Sequence, residues 1–253
     1  MLDRILHTTR ARVAELIPRE QELAERAAGV PDARDVAGAL LAPGLSVIAE
    51  IKRRSPSAGP LALDLDPGAQ AAAYVAGGAA AVSVLTEPHF FGGTLDDLAA
   101  VRAAVDAPVL RKDFVVHPVQ IWEARAAGAD VILLIVAALA QTDLETLLET
   151  SRVAGIAALV EAHTAQEAER AVAAGAHIVG VNNRDLTTFV TDLSVAEKIA
   201  ALLPDEAIRV AESGVSSPEG AARMRAAGYD AILVGEALVR SADPAALVRR
   251  LKG

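Results

Sequence analysis

Glu50 and Lys52 stand two residues apart at the end of a short β-branched run, 47–51. Side chains two apart in a strand face the same way, so a carboxylate and an ammonium share one face there. Burying such a pair is costly unless it is matched or solvated by a ligand. Arg53, Arg54 and the turn Ser55-Pro56-Ser57 follow at once. Acid and base at a strand end, then a hydroxyl-rich loop, suit an anionic substrate; the alternative use is an internal ion pair that ties off the strand. Lys112 and Glu161 are candidates for proton transfer, because desolvation lowers the pKa of a lysine and raises that of a glutamate, bringing both toward neutrality. Lys112 has a second possible use in pairing with its neighbour Asp113. Glu161 and His163 are spaced to share a metal, but no further histidine is suitably placed, and no metal site is expected. Ser213-Gly214 and Gly235-Glu236, the latter opening a short helical stretch, fit phosphate binding by exposed backbone N–H groups. Phe91, Phe114 and Leu133 offer apolar walls for a planar ring in a chain with only 3% aromatic residues.

Such groups need a scaffold that gathers distant segments. From residue 45 onward, short apolar runs recur at 47–51, 81–85, 108–110, 131–136, 157–160, 178–181, 208–211 and 231–234, with Ala-rich helical segments between them. Strands alternating with helices indicate βα units and a parallel sheet. Ala76-Gly77-Gly78, Ala127-Gly128, Ala174-Gly175 and Ala227-Gly228 precede every other run, where glycine supplies a left-handed helix cap. Eight such units predict a (β/α)8 barrel. An open doubly wound sheet is the alternative, but the Gly-rich nucleotide fingerprint it usually carries after its first strand is missing. Nearly every run closes on a polar group: Lys52, Glu87, Lys112, Glu161, Asn182 with Arg184, Glu212 with Ser213, and Glu236. In a barrel these ends open on one face, where this fold builds its sites. Residues 1–44 read as a helical extension, with helical patterns over 2–17, 20–28 and 35–41, a break at Pro18, and a packing role. The whole chain, 1–253, is expected to form one domain.

Composition narrows the partners. With 253 residues and 53% hydrophobic side chains the chain can bury a large aliphatic core, and the absence of cysteine rules out disulfides and thiolate metal sites. A net charge of −9 argues against non-specific nucleic-acid binding. No apolar run reaches the ~18 residues of a membrane span, and the N-terminus lacks the pattern of a signal peptide. A cytoplasmic monomer that binds a small anionic substrate, with neither nucleic acid nor membrane as partner, is the expectation.

The motifs also resemble a known family. Ala49-Glu50-Ile51-Lys52-Arg53-Arg54-Ser55-Pro56-Ser57 is similar to the signature of the indole-3-glycerol phosphate synthases. Ser83-Val84-Leu85-Thr86-Glu87, Phe91-Gly92-Gly93, Arg111-Lys112-Asp113-Phe114, Leu159-Val160-Glu161, Gly180-Val181-Asn182-Asn183-Arg184-Asp185-Leu186 and Ala211-Glu212-Ser213-Gly214 follow in the family's order. The resemblance implies a cofactor-free conversion of 1-(2-carboxyphenylamino)-1-deoxyribulose 5-phosphate into indole-3-glycerol phosphate, water and carbon dioxide. By the same resemblance Lys112 is the general acid of ring closure, Lys52 holds the departing carboxylate, and Glu161 is the base of dehydration. Glu50 and Glu212 position the lysines. Asn182 and Arg184 contact substrate, with Ser55, Ser57 and Leu186 in the binding region. Where several relatives carry Gly-Ser, this chain has Gly235-Glu236, so the acidic side chain must turn away from phosphate. Two alternatives stay open: another phosphate-binding barrel, such as the isomerase one step earlier in the same pathway, which would not need both lysines, and a non-catalytic barrel, which would have lost its strand-end charges.

Overall fold

The computed structural model describes residues 1–56, 58–185 and 188–253. Eight parallel strands close into a barrel: β1 (Ser46–Ile51), β2 (Ala81–Leu85), β3 (Val109–Lys112), β4 (Val131–Ile135), β5 (Ala157–Ala162), β6 (Ile178–Asn182), β7 (Ile208–Glu212) and β8 (Ala231–Val234). Each pairs with its sequence neighbours, and β1 closes the ring by pairing with both β2 and β8. The expected barrel is therefore the observed one, and the open sheet is excluded.

The helices are α1 (Leu2–Leu16), α2 (Glu20–Ala28) and α3 (Val36–Leu40) before the barrel. Those within it are α4 (Pro67–Ala76), α5 (Leu95–Ala104), α6 (Pro118–Ala126), α7 (Gln141–Val153), α8 (Ala165–Ala173), α9 (Ser194–Ala200), α10 (Pro218–Ala226), α11 (Glu236–Val239) and α12 (Pro244–Lys252). Thr94, Thr164 and Ser217 cap α5, α8 and α10 by accepting a backbone N–H, the usual way a short side-chain oxygen satisfies the first turn. Gly78, Gly128, Gly175 and Gly228 end their helices with φ between 82° and 92°, as the repeat predicts. Pro18 lies in a 3-10 turn, Ile17–Arg19, that joins α1 to α2.

Two apolar layers make the core. Inside the barrel lie Ile48, Leu110, Leu133, Leu159, Ile178, Val210 and Leu233; outside, Val47, Val82, Ile132, Val160, Val179 and Ile232 meet the helices. One step of two residues along a strand carries the inner face from this floor to the mouth. Ile48 leads to Glu50 and Lys52, Leu110 to Lys112, Leu159 to Glu161, Ile178 to Gly180 and Asn182, and Val210 to Glu212.

Several strands run further than the apolar pattern suggests. The third extends to Lys112, the fifth past Glu161, the sixth to Asn182 and the seventh to Glu212. The cause is lateral pairing: Lys112 is in register with Leu85, Glu161 with Gly180, and Asn182 with Glu212. The polar groups are thus held on rigid strand backbone rather than on loops. The fourth run stops at Ile135, and Val136 begins a short 3-10 turn. A two-residue hairpin, Arg54–Ser55 with Gly59–Pro60, lies beyond β1; the sequence pattern carries no sign of it.

The N-terminal extension is bound to the barrel by named contacts. Arg12 Nη2 donates to Asp113 Oδ1 at 3.0 Å, and the Arg34 backbone N–H donates to Asp130 Oδ1 at 2.8 Å. Val13 and Leu23 pack on Val119 of α6.

Candidate active site

At the C-terminal end of the strands a cavity of about 430 Å³ opens over the inner core. Glu50, Lys52, Ser55, Phe91, Lys112, Phe114, Leu133, Glu161, Asn182, Arg184, Glu212, Ser213, Gly214, Gly235 and Glu236 all line it. Ser57 and Leu186, the other two expected site residues, lie outside the described residues.

The floor is a network of charges. Lys52 Nζ donates to Glu50 Oε1 at 2.7 Å, so the two charges that share a face of β1 are matched to each other. Lys112 Nζ lies between two carboxylates, 3.1 Å from Glu161 Oε2 and 3.1 Å from Glu212 Oε2. Lys112 therefore does not depend on Asp113, whose carboxylate is taken by Arg12, Arg111 and Thr86. Asn182 presents its amide to Glu161 while its Oδ1 accepts the backbone N–H of Arg184 at 3.0 Å.

These pairings reverse two expectations about protonation. Burial works against the charge on Lys112, but the carboxylates of Glu161, Glu212 and Glu50 outweigh it and raise its pKa. Burial likewise opposes ionisation of Glu161, yet Lys112 and His163 overcome it and hold its pKa below the ordinary carboxylate value. Neither group moves toward neutrality by desolvation, because opposite charge arrives with the burial. The raised carboxyl is Glu212, pushed up to about 8 by burial and by the neighbouring Glu161 charge. Both carboxylates compete for one ammonium, so they titrate as a pair. Within the pair the pKa of Glu212 is the raised one and that of Glu161 the lowered one, Glu161 having Asn182 and His163 as additional partners.

Two glycines make room for the carboxylates. A Cβ on Gly180 of β6 would sit 2.2 Å from Glu212 Oε1, and a Cβ on Gly235 would sit 2.3 Å from Glu50 Oε1. In each case a glutamate leans across the neighbouring strand through the space a side chain would fill. Besides the backbone N–H expected to serve phosphate, Gly235 thus provides the space that Glu50 occupies.

At the opposite rim Ser213 and Gly214 have φ of 63° and 84°. A serine in the left-handed region costs free energy and persists only where its surroundings over-determine it. Glu236, the acidic residue of the Gly235-Glu236 step, accepts from Arg240 Nε at 3.1 Å, so a cation offsets its charge. Overhead, Phe91 and Phe114 face each other at 6.2 Å with their rings tilted by 36°, and Met1, Leu2 and Ile5 of the N-terminal extension add to the apolar wall. Glu87, counted among the strand-end charges, instead accepts the backbone N–H groups of His89, Phe90 and Phe91 and so shapes the loop that presents Phe91.

The fold is shared beyond this chemistry. A thiamine phosphate pyrophosphorylase from Pyrococcus furiosus superposes with a TM-score of 0.63 at 17% identity, over 85% of this chain and 95% of that one, which speaks to the barrel alone. The sequence profile of indole-3-glycerol phosphate synthase matches residues 2–251. The chain belongs to the indole-3-glycerol phosphate synthase family. The synthase of Streptomyces griseus is 53% identical over 99% of this chain and 94% of its own length, and that of Mycobacterium ulcerans 54% identical over 99% and 93%. The activity is that of a carboxy-lyase that closes the ring of, decarboxylates and dehydrates 1-(2-carboxyphenylamino)-1-deoxyribulose 5-phosphate to indole-3-glycerol phosphate.

Seen as an indole-3-glycerol phosphate synthase, the site includes groups that sequence reasoning passed over. Met1, Leu2 and Ile5, in an extension expected mainly to pack, line the cavity, as do Phe189 and Arg240. The helical pattern of 2–17 is the same whether its face meets core or substrate, so no local signal separates the two. Gly180 stands in a matched motif but has no chemistry of its own. Among the described residues no cluster of three or more His, Cys, Asp or Glu side chains could hold a metal ion, and no helix is long and apolar enough to cross a membrane.

Proposed function

We propose that Lys112, Glu161 and Lys52 divide the chemistry of the synthase reaction. Lys112 delivers a proton to the ketone oxygen as the ring carbon bearing the carboxylate attacks the ketone carbon. Lys52 holds that carboxylate, which leaves as carbon dioxide and returns its bonding pair to the ring. In dehydration the hydroxyl departs as water with a proton from a lysine, and Glu161 accepts the proton lost from the neighbouring methylene carbon. The observation that carries this reading is the placement of Lys112 Nζ 3.1 Å from both Glu161 and Glu212, which keeps a charged donor and a deprotonated acceptor side by side. Glu50 and Glu212 hold the two lysines, Arg184 and Asn182 contact substrate, and Phe91, Phe114 and Leu133 flank its aromatic ring. Ser213, Gly214, Gly235 and Glu236 offer backbone donors to the phosphate, and Ser55, Ser57 and Leu186 are further substrate-binding residues. No cofactor takes part. The protein works as a cytoplasmic monomer of one domain, with residues 1–44 as its extension.

Turnover of the carboxyphenylamino substrate, followed by indole fluorescence, tests the assignment. Lys112→Met should lower kcat by ~10² or more with the fold retained, the scale of a lost general acid. Glu161→Gln should lower kcat comparably and let a ring-closed intermediate accumulate in rapid-quench samples. Near-normal kcat in either variant removes that residue from its role.

A further inference from the structure

His163 is a partly buried titratable group with no part in the chemistry described so far. It follows Glu161 by two residues, and its ring lies between two carboxylates: Nε2 is 3.3 Å from Glu161 Oε1, and Nδ1 is 3.3 Å from Glu167 Oε2. Its side chain is 11% exposed, and it is not among the cavity-lining residues. The first turn of α8 sets its place. Glu167 Oε2 accepts the His163 backbone N–H at 2.7 Å, while the Glu167 N–H donates to the capping Thr164 Oγ1 at 3.1 Å. The ring is therefore fixed from the helix side, and Nε2 is aimed at the barrel. Nε2 is buried without an aligned hydrogen bond, so its link to Glu161 is the attraction of charges.

We infer that His163 is a positioning residue for Glu161, holding Oε1 so that Oε2, the oxygen on Lys112, is the one presented to the reacting atoms. The inference rests on the assignment of Glu161 as base. A carboxylate turns about a broad, roughly two-fold terminal torsion, and one partner on one oxygen leaves that rotation loosely restrained. Lys112 on Oε2 and His163 on Oε1 restrain it from both ends. The charged groups around the ring are Glu161 on β5, Glu167 on α8, Glu212 on β7 and, across Glu161, Lys112 on β3. Burial disfavours a charged imidazole, but the hydrogen bond it donates to Glu167 and the charges of Glu161, Glu167 and Glu212 outweigh it, so His163 binds its proton more tightly than an ordinary histidine. The imidazolium in turn keeps Glu161 deprotonated at lower pH, which extends the range over which a base is available.

Two substitutions separate the geometry from the charge. His163→Asn keeps an amide near Glu167 and removes the group facing Glu161; His163→Gln keeps a neutral donor toward Glu161. For His163→Asn, kcat should fall by about 10-fold, less than the loss of a proton-transfer group itself, with KM within about twofold because the ring does not line the cavity. The acid limb of the kcat–pH profile should move to higher pH in both variants, since Glu161 loses a stabilising cation in each, and His163→Gln should recover part of kcat. A purely structural role would lower stability and leave the acid limb in place, so an unmoved limb with parental kcat in folded protein overturns the inference. If His163→Asn does not fold, the acid limb of His163→Gln decides alone. Glu161→Gln in parallel keeps the two ideas apart. Parental kcat in that variant overturns the base assignment, whereas a collapsed kcat there beside silent His163 variants overturns only the positioning role.

Discussion

Glu236 would repel phosphate if its carboxylate faced the cavity uncompensated, and what prevents this is Arg240, one helical turn further on, which donates to it at 3.1 Å. Both side chains are partly exposed, so the pair by itself adds little stability; its consequence is local charge at the rim where phosphate is proposed to bind. Arg240→Ala should raise KM by roughly 5- to 10-fold, ~1–1.4 kcal/mol of binding. Glu236→Gln should change it only slightly, and the double variant should return toward the parent. Steady-state KM values for the three variants check this, and an unchanged KM in Arg240→Ala would mean that the carboxylate already lies clear of phosphate.

Among the elements, the strands decide how precisely the site is built, because Lys112, Glu161, Asn182 and Glu212 all belong to paired strand residues. Their separation is set by strand spacing and barrel closure, not by loop conformation. Gly180 on β6 is the opening through which Glu212 reaches Lys112. Its φ is not among the positive ones, so alanine suits the backbone there; its Cβ would conflict chiefly with the carboxylate, and Leu159 Cδ1 at 3.2 Å would have to give slightly. Gly180→Ala should therefore cost little in melting temperature yet lower kcat by ~10-fold or more, toward the range of a disturbed proton-transfer group. Melting curves beside kcat check the prediction; a loss of stability in proportion to the loss of rate would assign Gly180 to packing instead. The eight strands and the helix-ending glycines were legible in the sequence because both follow from local periodicity and backbone stereochemistry. The hairpin at Arg54–Ser55 was not, since two residues carry no period.

Over the whole molecule, barrel closure brings Glu161 and Glu212 to one ammonium, Lys112, each 3.1 Å from its Nζ, and two buried carboxylates so close together favour a proton on one of them. Burial and the Glu161 charge place it on Glu212, whose pKa rises from 4.5 to about 8. A carboxyl raised on folding contributes stability that is complete below its unfolded pKa and is lost as pH rises through the folded one. The parent should therefore lose thermal stability relative to Glu212→Gln as pH rises from about 5 to about 9, with the change complete just above the folded pKa. Parallel melting-temperature profiles would show that Glu212 carries no excess proton.

What the sequence determined by itself was the (β/α)8 order, the face on which each polar residue would emerge, and the set of residues gathered there, from Glu50 to Glu236. Alternation along a strand and capping at a helix end are properties of neighbouring residues, so they can be read without a fold. Tertiary structure alone decided which charges meet. Lys112 and Glu161 are 49 residues apart in the chain, and Asp113 is claimed by Arg12 from the N-terminal helix, 101 residues away. It also decided the sense of the pKa shifts, because burial and the approach of opposite charge act against each other on the same group, and the winner depends on distances that only barrel closure sets. The roles of Gly180, Arg240 and His163 belong to the same category: each acts on a carboxylate through space, and nothing in its own residue type announces which one.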